Sequence, residues 1–255
     1  TTKTPPGRLY LVPTPLDFGC AEQAPITDVL PTTTLATAAR IQNWVCENAK
    51  STRAFLKRVG QTHPLIAPLN EQNITELPRH VHKKGDHQSG FDGKPLLAAA
   101  LQGHDVGLVS EAGMPAVADP GSSVVRAAHD LGIGVAPLVG PVSLLLALAA
   151  SGLNGQNFAF VGYLPQDAGE RAARLKQLES LALKTGQTQL WIETPYRNAA
   201  MLGGLLQSLN ANTRLAIASG LTMPSASIQS HTVAQWKKGL KGPDANTPAV
   251  YAIGP

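Results

Sequence analysis

Four short stretches hold the residues best suited to ligand chemistry: 13–17, 110–119, 140–143 and 193–197. The second is the most informative. Val109-Ser-Glu-Ala-Gly-Met-Pro-Ala-Val-Ala-Asp-Pro-Gly121 follows the short apolar run 106–109 and is dominated by small residues, prolines and acids. Glycine and alanine keep side chains out of the way, so backbone N–H and C=O groups can approach a bound molecule closely. Such a lining suits a flat, polar, weakly charged ligand such as an adenosyl group. The stretch is also longer than the roughly 2–6 residues a strand-to-helix connection needs. Several familiar sites are absent: G-x-G-x-x-G between a strand and a helix, the P-loop, H-E-x-x-H and G-x-S-x-G. Gly132-Ile-Gly134 stands between a helix and the next strand, the wrong order for a dinucleotide site. These absences argue against nicotinamide enzymes, NTPases, zinc peptidases and α/β-hydrolases.

The elements that must position these stretches are legible from periodicity and punctuation. A β-branched and aromatic run at 8–12 ends in Pro13-Thr14-Pro15 and reads as a strand stopped by prolines. A helix is expected at 32–41, a short strand at 44–46, and a basic amphipathic helix at 51–59 with Phe55, Leu56 and Val59 inward. Strand 106–109, helix 122–131, strand 135–139 and helix 142–150 then alternate, which predicts a parallel sheet with right-handed crossovers. Asp119 is expected as a helix N-cap, with Pro120 at the first helical position and Gly132 ending the helix. In open α/β sheets, ligands bind at the carboxyl ends of the strands, where these loops cluster.

Further on, strand 158–163, a linker at 164–169 and a helix at 171–183 carrying Leu175, Leu178 and Leu181 are expected. Strand 188–192, helix 196–209, strand 215–218, a short helix at 233–240 and a last strand at 249–253, paired antiparallel or mixed, complete the chain. The fold class is therefore α/β, with two α/β domains of mostly parallel sheets spanning residues 1–154 and 155–255. Trp44 and Trp191 read as core residues and Trp236 as partly exposed.

The 255 residues suit two compact domains, and 43% hydrophobic with 15% charged residues argues against disorder across the whole chain. The longest apolar run, 142–150, is short of the roughly 20 residues that span a bilayer, so no membrane partner is expected. The first residues carry no apolar leader core and read as a flexible tail. Two cysteines, Cys20 and Cys46, make neither a disulfide framework nor a four-ligand zinc site and fit a reducing cytoplasm. The net charge of +4 permits a phosphate-bearing partner without requiring one. Residues 78–95 hold Arg79, His80, His82, Lys83, Lys84, His87 and Lys94 without apolar periodicity. They read as a mobile surface loop, either a solvated insertion or a basic lid over a substrate. No carboxylate or cysteine spacing supports these histidines as ligands, so no metal is expected.

The 109–121 stretch resembles the V-S-D-A-G-T-P-x-x-x-D-P-G loop of the tetrapyrrole (corrin/porphyrin) methylase superfamily, in particular the branch that methylates 16S ribosomal RNA at a ribose 2′-oxygen. Further matches occur in order. Leu9-Tyr-Leu-Val-Pro-Thr-Pro15 is similar to L-Y-x-V-x-T-P, residues 47–56 to E-D-T-R-x-T-R-x-L-L, and Leu69-Asn-Glu-Gln-Asn73 to Y-N-E-H-N. Gly140-Pro141 and Ala149-Ala-Ser-Gly-Leu153 resemble P-G-P-S-A and S-A-S-G-L. Phe160-Val-Gly-Tyr-Leu-Pro165 is similar to F-x-G-F-L-P, and Ile192-Glu-Thr-Pro-Tyr-Arg197 to Y-E-S-P-H-R. The resemblance covers essentially the whole chain. It implies S-adenosylmethionine held in a cleft between two domains, and a homodimer. Carried over by position, the cofactor contacts are Pro13, Ser110, Glu111, Ala112, Met114, Val142, Ser143, Glu193 and Ala249. The chain departs from the pattern at Glu111 and Met114 (Asp and Thr in the family), at Asn48-Ala49-Lys50 for D-T-R, and at Ser219-Gly220 for R-E.

Methyl transfer from a sulfonium is an in-line displacement, and a hydroxyl acceptor must also lose its proton. Glu193, Glu47 and Lys50 are the candidates for that polar work, each with a helix-cap or salt-bridge role as the alternative. Arg53 and Arg197 are the candidates for phosphate contact in a structured RNA. A small tetrapyrrole-like acceptor, or a non-catalytic relative that holds cofactor or RNA, are the alternative readings.

Overall fold

The computed structural model describes residues 5–84, 86 and 90–255. They divide into two units, residues 5–18 with Ala24–Pro141, and Gly19–Gln23 with Val142–Pro255. The boundary after Pro141 replaces the one expected at 154/155. The reason is the helix at Ser143–Ser151, whose apolar residues Leu144, Ala147 and Leu148 are buried against the second sheet.

In chain order the first unit contains β1 (Leu9–Val12), α1 (Ile26–Val29), α2 (Thr32–Ala39), β2 (Asn43–Cys46), α3 (Ala49–Gly60), β3 (Asn73–Glu76), α4 (Arg79–Lys84), α5 (Ala98–Leu101), β4 (Val106–Val109), α6 (Ser122–Asp130) and β5 (Val135–Pro137). Its sheet runs β3-β2-β4-β1-β5, with every pairing parallel. All of β4 is buried, as a strand of a parallel sheet covered on both faces must be. Trp44, Phe55 and Leu56 form one apolar cluster, and Val45, Leu108 and Val124 form another. Trp44 and Val45 are adjacent on β2 and therefore mark opposite faces. Gly107 makes room for Trp44: a Cβ there would lie 2.5 Å from the indole ring. Asn48 caps α3 by accepting from the backbone N–H of Lys50 at 2.9 Å and of Ser51 at 3.2 Å.

Two expectations for this unit need correction. Asp119 is not an N-cap. The cap position of α6 is Gly121, with φ 136°, and the capping carboxylate comes from Asp86. It accepts from the backbone N–H of Gly121 at 2.9 Å and of Ser123 at 2.7 Å, and from the hydroxyls of Ser122 and Ser123. Burial pushes the Asp86 carboxyl up, but the bonds from Ser123, Ser122 and Gly121 outweigh it and hold the group below its ordinary value. A carboxylate at a helix N-terminus also meets the positive end of the helix dipole. For the same reason residues 78–95 are not merely a solvated loop: α4 lies within them, and Val81 and Asp86 are buried. Gly85, His87, Gln88 and Ser89 lie outside the described residues, as do the side chains of His82, Lys83 and Lys84 and the opening tail at 1–4.

The second unit contains α7 (Ser143–Ser151), β6 (Phe158–Tyr163), α8 (Ala168–Thr185), β7 (Thr188–Glu193), α9 (Asn198–Ser208), β8 (Arg214–Ser219), β9 (Ser227–Thr232), α10 (Val233–Trp236) and β10 (Ala249–Gly254). The sheet order is β6-β7-β10-β8-β9. Only β6 and β7 pair in parallel; β10 runs antiparallel to both of its neighbours, and so does β9 to β8. The expectation of mostly parallel sheets therefore holds for the first unit alone. Leu175, Leu178, Met201 and Trp236 pack with Trp191, Ile217 and Tyr251 over one face. Trp236 is buried, against expectation, because its indole N–H donates to the Leu215 carbonyl at 2.9 Å. Leu181 points outward instead of joining Leu175 and Leu178. Among the described residues, no helix is long and apolar enough to cross a membrane.

Candidate functional site

In the first unit, register aligns the strand ends. Val12 and Cys46 both pair with Val109, so Pro13, Glu47 and Ser110 leave the sheet side by side. Thr14 and Gly113 exchange backbone hydrogen bonds, both 3.0 Å, and the Thr14 hydroxyl donates to the Ser110 carbonyl at 3.3 Å. This ties the loop after β1 to the loop after β4. The loop after β5 joins them, because a Cβ on Gly140 would overlap the Pro13 ring. Ala116 and Ala118 adopt left-handed conformations, with φ of 64° and 63°. That is an uncommon backbone for residues with a Cβ, and it is held here by the closed loop.

The loop's electrostatics are its second feature. The backbone N–H of Glu111 donates to Glu47 Oε2 at 3.3 Å, which brings the acids of two strand ends together. Asp119 is their neighbour. Burial raises its carboxyl to about 7, the charges of Glu47 and Glu111 push the same way, and a hydrogen bond from Ser110 only partly opposes them. Three acids thus share one region, and Asp119, raised to about 7, is a residue that sequence reasoning placed as a helix cap. The D-P-G signature could have flagged it; its neighbours could not be read locally. Pro13, Ser110, Glu111, Ala112 and Met114 all lie on these connected loops. Lys50 and Arg53 are exposed on the first turns of α3, beyond Glu47.

In the second unit, Glu193, Ala249 and Ser219 form a row across three strands, with Ala249 paired to both of the others. Glu193 is buried. Its Oε1 accepts from the Thr194 N–H at 2.8 Å and hydroxyl at 3.1 Å. Its Oε2 lies 3.3 Å from Arg197 Nε, close enough to pair although not aligned for a hydrogen bond. Arg197 is therefore committed to Glu193 rather than extended into solvent. Behind them, the Tyr251 hydroxyl donates to Asn198 Oδ1 at 2.9 Å, and Asn198 Nδ2 donates to the carbonyls of Asp244 and Thr247. Burial, and then the Glu193 charge, raise the Tyr251 phenol above its usual range. A cavity of about 270 Å³ opens beside Ser219, lined also by Ser225, Ser227, Lys241 and Thr247. Val142 and Ser143 stand at the start of α7, where the Val142 carbonyl accepts from the N–H groups of Leu145 and Leu146. Among the described residues, no group of His, Cys, Asp and Glu is arranged to hold a metal ion.

The two units place the expected cofactor residues in two groups at strand ends and helix starts, the arrangement of an α/β ligand-binding protein. The chain belongs to the family Tetrapyrrole (Corrin/Porphyrin) Methylases, whose model matches residues 32–236. Among curated relatives, it is 33% identical over 225 residues to the "Ribosomal RNA small subunit methyltransferase I" of Mesorhizobium japonicum, covering 88% of this chain and 67% of that protein. It is 32% identical over 228 residues to the protein of the same name from Vibrio cholerae, covering 89% and 69%. Two solved structures share the fold at 17% identity. The methyltransferase CobJ has a TM-score of 0.55, covering 97% of this chain and 94% of the other. The native form of uroporphyrin III C-methyl transferase from Thermus thermophilus has a TM-score of 0.52, covering 97% of each chain.

Proposed function

We propose that this chain is a cytoplasmic, homodimeric methyltransferase that uses S-adenosylmethionine to methylate a ribose 2′-hydroxyl of small-subunit ribosomal RNA. The observation that carries the reading is the Ser110–Asp119 loop, tied to Pro13 and Glu47, in a chain whose named relatives act on that RNA. S-adenosylmethionine supplies an electrophilic methyl group on a positively charged sulfonium. The loop fits such a ligand because its small residues let backbone polar groups come close.

The chain's own contribution is alignment and exclusion of water, and alignment alone can supply about 7–11 kcal/mol of barrier lowering. Asp119, raised to about 7, is the group placed to take the hydroxyl proton at neutral pH. Burial first, and then the Glu47 charge, hold Asp119 near that value. Lys50 and Arg53 meet RNA phosphates, while Glu193 and Arg197 keep the loop after β7 in place. Mass spectrometry of ribosomal RNA from a strain lacking the gene tests the acceptor: one ribose methyl should vanish and return with a plasmid copy. An unchanged map rules out this RNA as substrate. Calorimetry with S-adenosylmethionine tests the cofactor separately, and absence of binding at millimolar ligand sinks that part.

A further inference from the structure

Helices α8 and α9 enclose a groove of about 220 Å³ that plays no part in the site described above. Its walls are mainly small residues, among them Ala172 from α8 and Gly203 and Gly204 from α9, with Leu175, Gln207 and Ser208 also lining it. The charged group lining it is Arg171, which is only 8% exposed. Arg171 Nη1 donates to the carbonyls of Pro165 at 3.3 Å and Gln166 at 2.9 Å. Among the described residues, Nε and Nη2 make no hydrogen bond and no carboxylate pairs with the guanidinium. Neither nitrogen is among the fully buried polar atoms that lack a partner, so both remain open to a ligand entering the groove.

The glycine pair bears on the same point. Glycine inside a helix lowers its stability relative to alanine, and α9 carries two in succession. A Cβ at Gly204 would lie 3.3 Å from Arg171 Nε and 3.8 Å from Nη2, whereas a Cβ at Gly203 would meet nothing within 4 Å. Gly204 thus keeps one edge of the guanidinium uncovered. That edge, with two parallel N–H donors, matches two oxygens of a single oxyanion.

We propose that the α8–α9 groove is a phosphate-binding site, in which the Nε–Nη2 edge of Arg171 takes two phosphate oxygens. The phosphate is either a free ion or a phosphodiester of bound RNA, and the inference stands independently of the methyl-transfer reading. The test is thermal unfolding of the full chain in rising inorganic phosphate, with ionic strength held constant by chloride. Wild type should show a saturable rise in Tm. Gly204→Ala, which leaves Arg171 in place, should weaken the apparent phosphate affinity by about tenfold or more, the scale of one charged hydrogen bond. Gly203→Ala should bind phosphate as wild type does. Circular dichroism and Tm in chloride confirm that both variants fold. Absence of a saturable shift in wild type, or equal shifts in wild type and Gly204→Ala, overturns the proposal. A short oligoribonucleotide then separates the sources. If its binding is weakened by Gly204→Ala and competed by phosphate, the ligand is an RNA phosphodiester. If the variant affects only inorganic phosphate, the ligand is the free ion.

Discussion

The strand ends of the two units both gather acids, yet they treat them in opposite ways. After β7, Glu193 has Arg197 one helical turn away and two donors from Thr194. After β4, Asp119 has Glu47 and Glu111 as charged neighbours and a single opposing bond from Ser110. The first arrangement closes on itself and holds a loop. The second raises one carboxyl to about 7 and so keeps its proton exchangeable near neutral pH. Proximity to a strand end is therefore not enough to mark a reactive group; what the neighbours do to its charge decides.

The largest expected effect lies on the closed side. Asn198→Ala should destabilise the protein by about 3 kcal/mol or more in urea titrations. It orphans the Tyr251 hydroxyl and the carbonyls of Asp244 and Thr247 at a fully buried position. A loss under about 1 kcal/mol would mean that this network is slack and that the contrast is overstated.

Next comes the capping of α6, the helix that follows the 110–119 loop. Asp86→Ala removes the carboxylate that satisfies Gly121 and Ser123 and should cost about 2 kcal/mol. Because the folded Asp86 carboxyl lies below its ordinary value of 3.8, its contribution is present above that pH and fades as pH falls further. The difference between variant and wild type should accordingly shrink toward pH 3.

Asp119→Asn sharpens the comparison through its sign. The folded carboxyl is raised from 3.8 to about 7, so the folded state binds more protons than the unfolded one and stability falls as pH rises between those values. At about pH 3, below both values, the neutral acid and the amide should be nearly equivalent. At pH 8 the variant should be more stable by about 2 kcal/mol, at 1.36 kcal/mol per pKa unit discounted for partial exposure. Its methyl transfer should be slowed strongly, and the rise in wild-type rate through pH 7 should disappear. A stability gain independent of pH would contradict the three-acid account.

The smallest effect on folding is expected for Lys50→Ala combined with Arg53→Ala. Both residues are exposed on α3, and stability should change by less than about 0.5 kcal/mol for each. RNA affinity should nonetheless drop and its salt dependence flatten, as gel-shift titration at several salt concentrations would show.

Much of the first unit was legible because its signals are local. The inward face of α3 with Phe55, Leu56 and Val59 follows the helical period, and the apolar run of β4 follows from burial on both faces. β9 escaped notice because Ser227–Thr232 has no alternating apolar residues and stays half exposed at a sheet edge. The antiparallel pairing of the last strand was expected and is observed, whereas the antiparallel pairing of β9 with β8 was hidden, since the pattern of a strand is the same whichever way it runs.

The sequence by itself determined the alternation of strands and helices, the small-residue loop at 110–119 and the pattern shared with the methylase family. These rest on short-range periodicity, turn chemistry and residue order. Only the tertiary structure decided that Asp86 caps α6, that Glu47 and Glu111 charge the surroundings of Asp119, and that Glu193 spends its charge on Arg197. The physical reason is range: periodicity and capping act within a few residues, whereas charge, burial and hydrogen bonding depend on neighbours that folding brings in from distant parts of the chain.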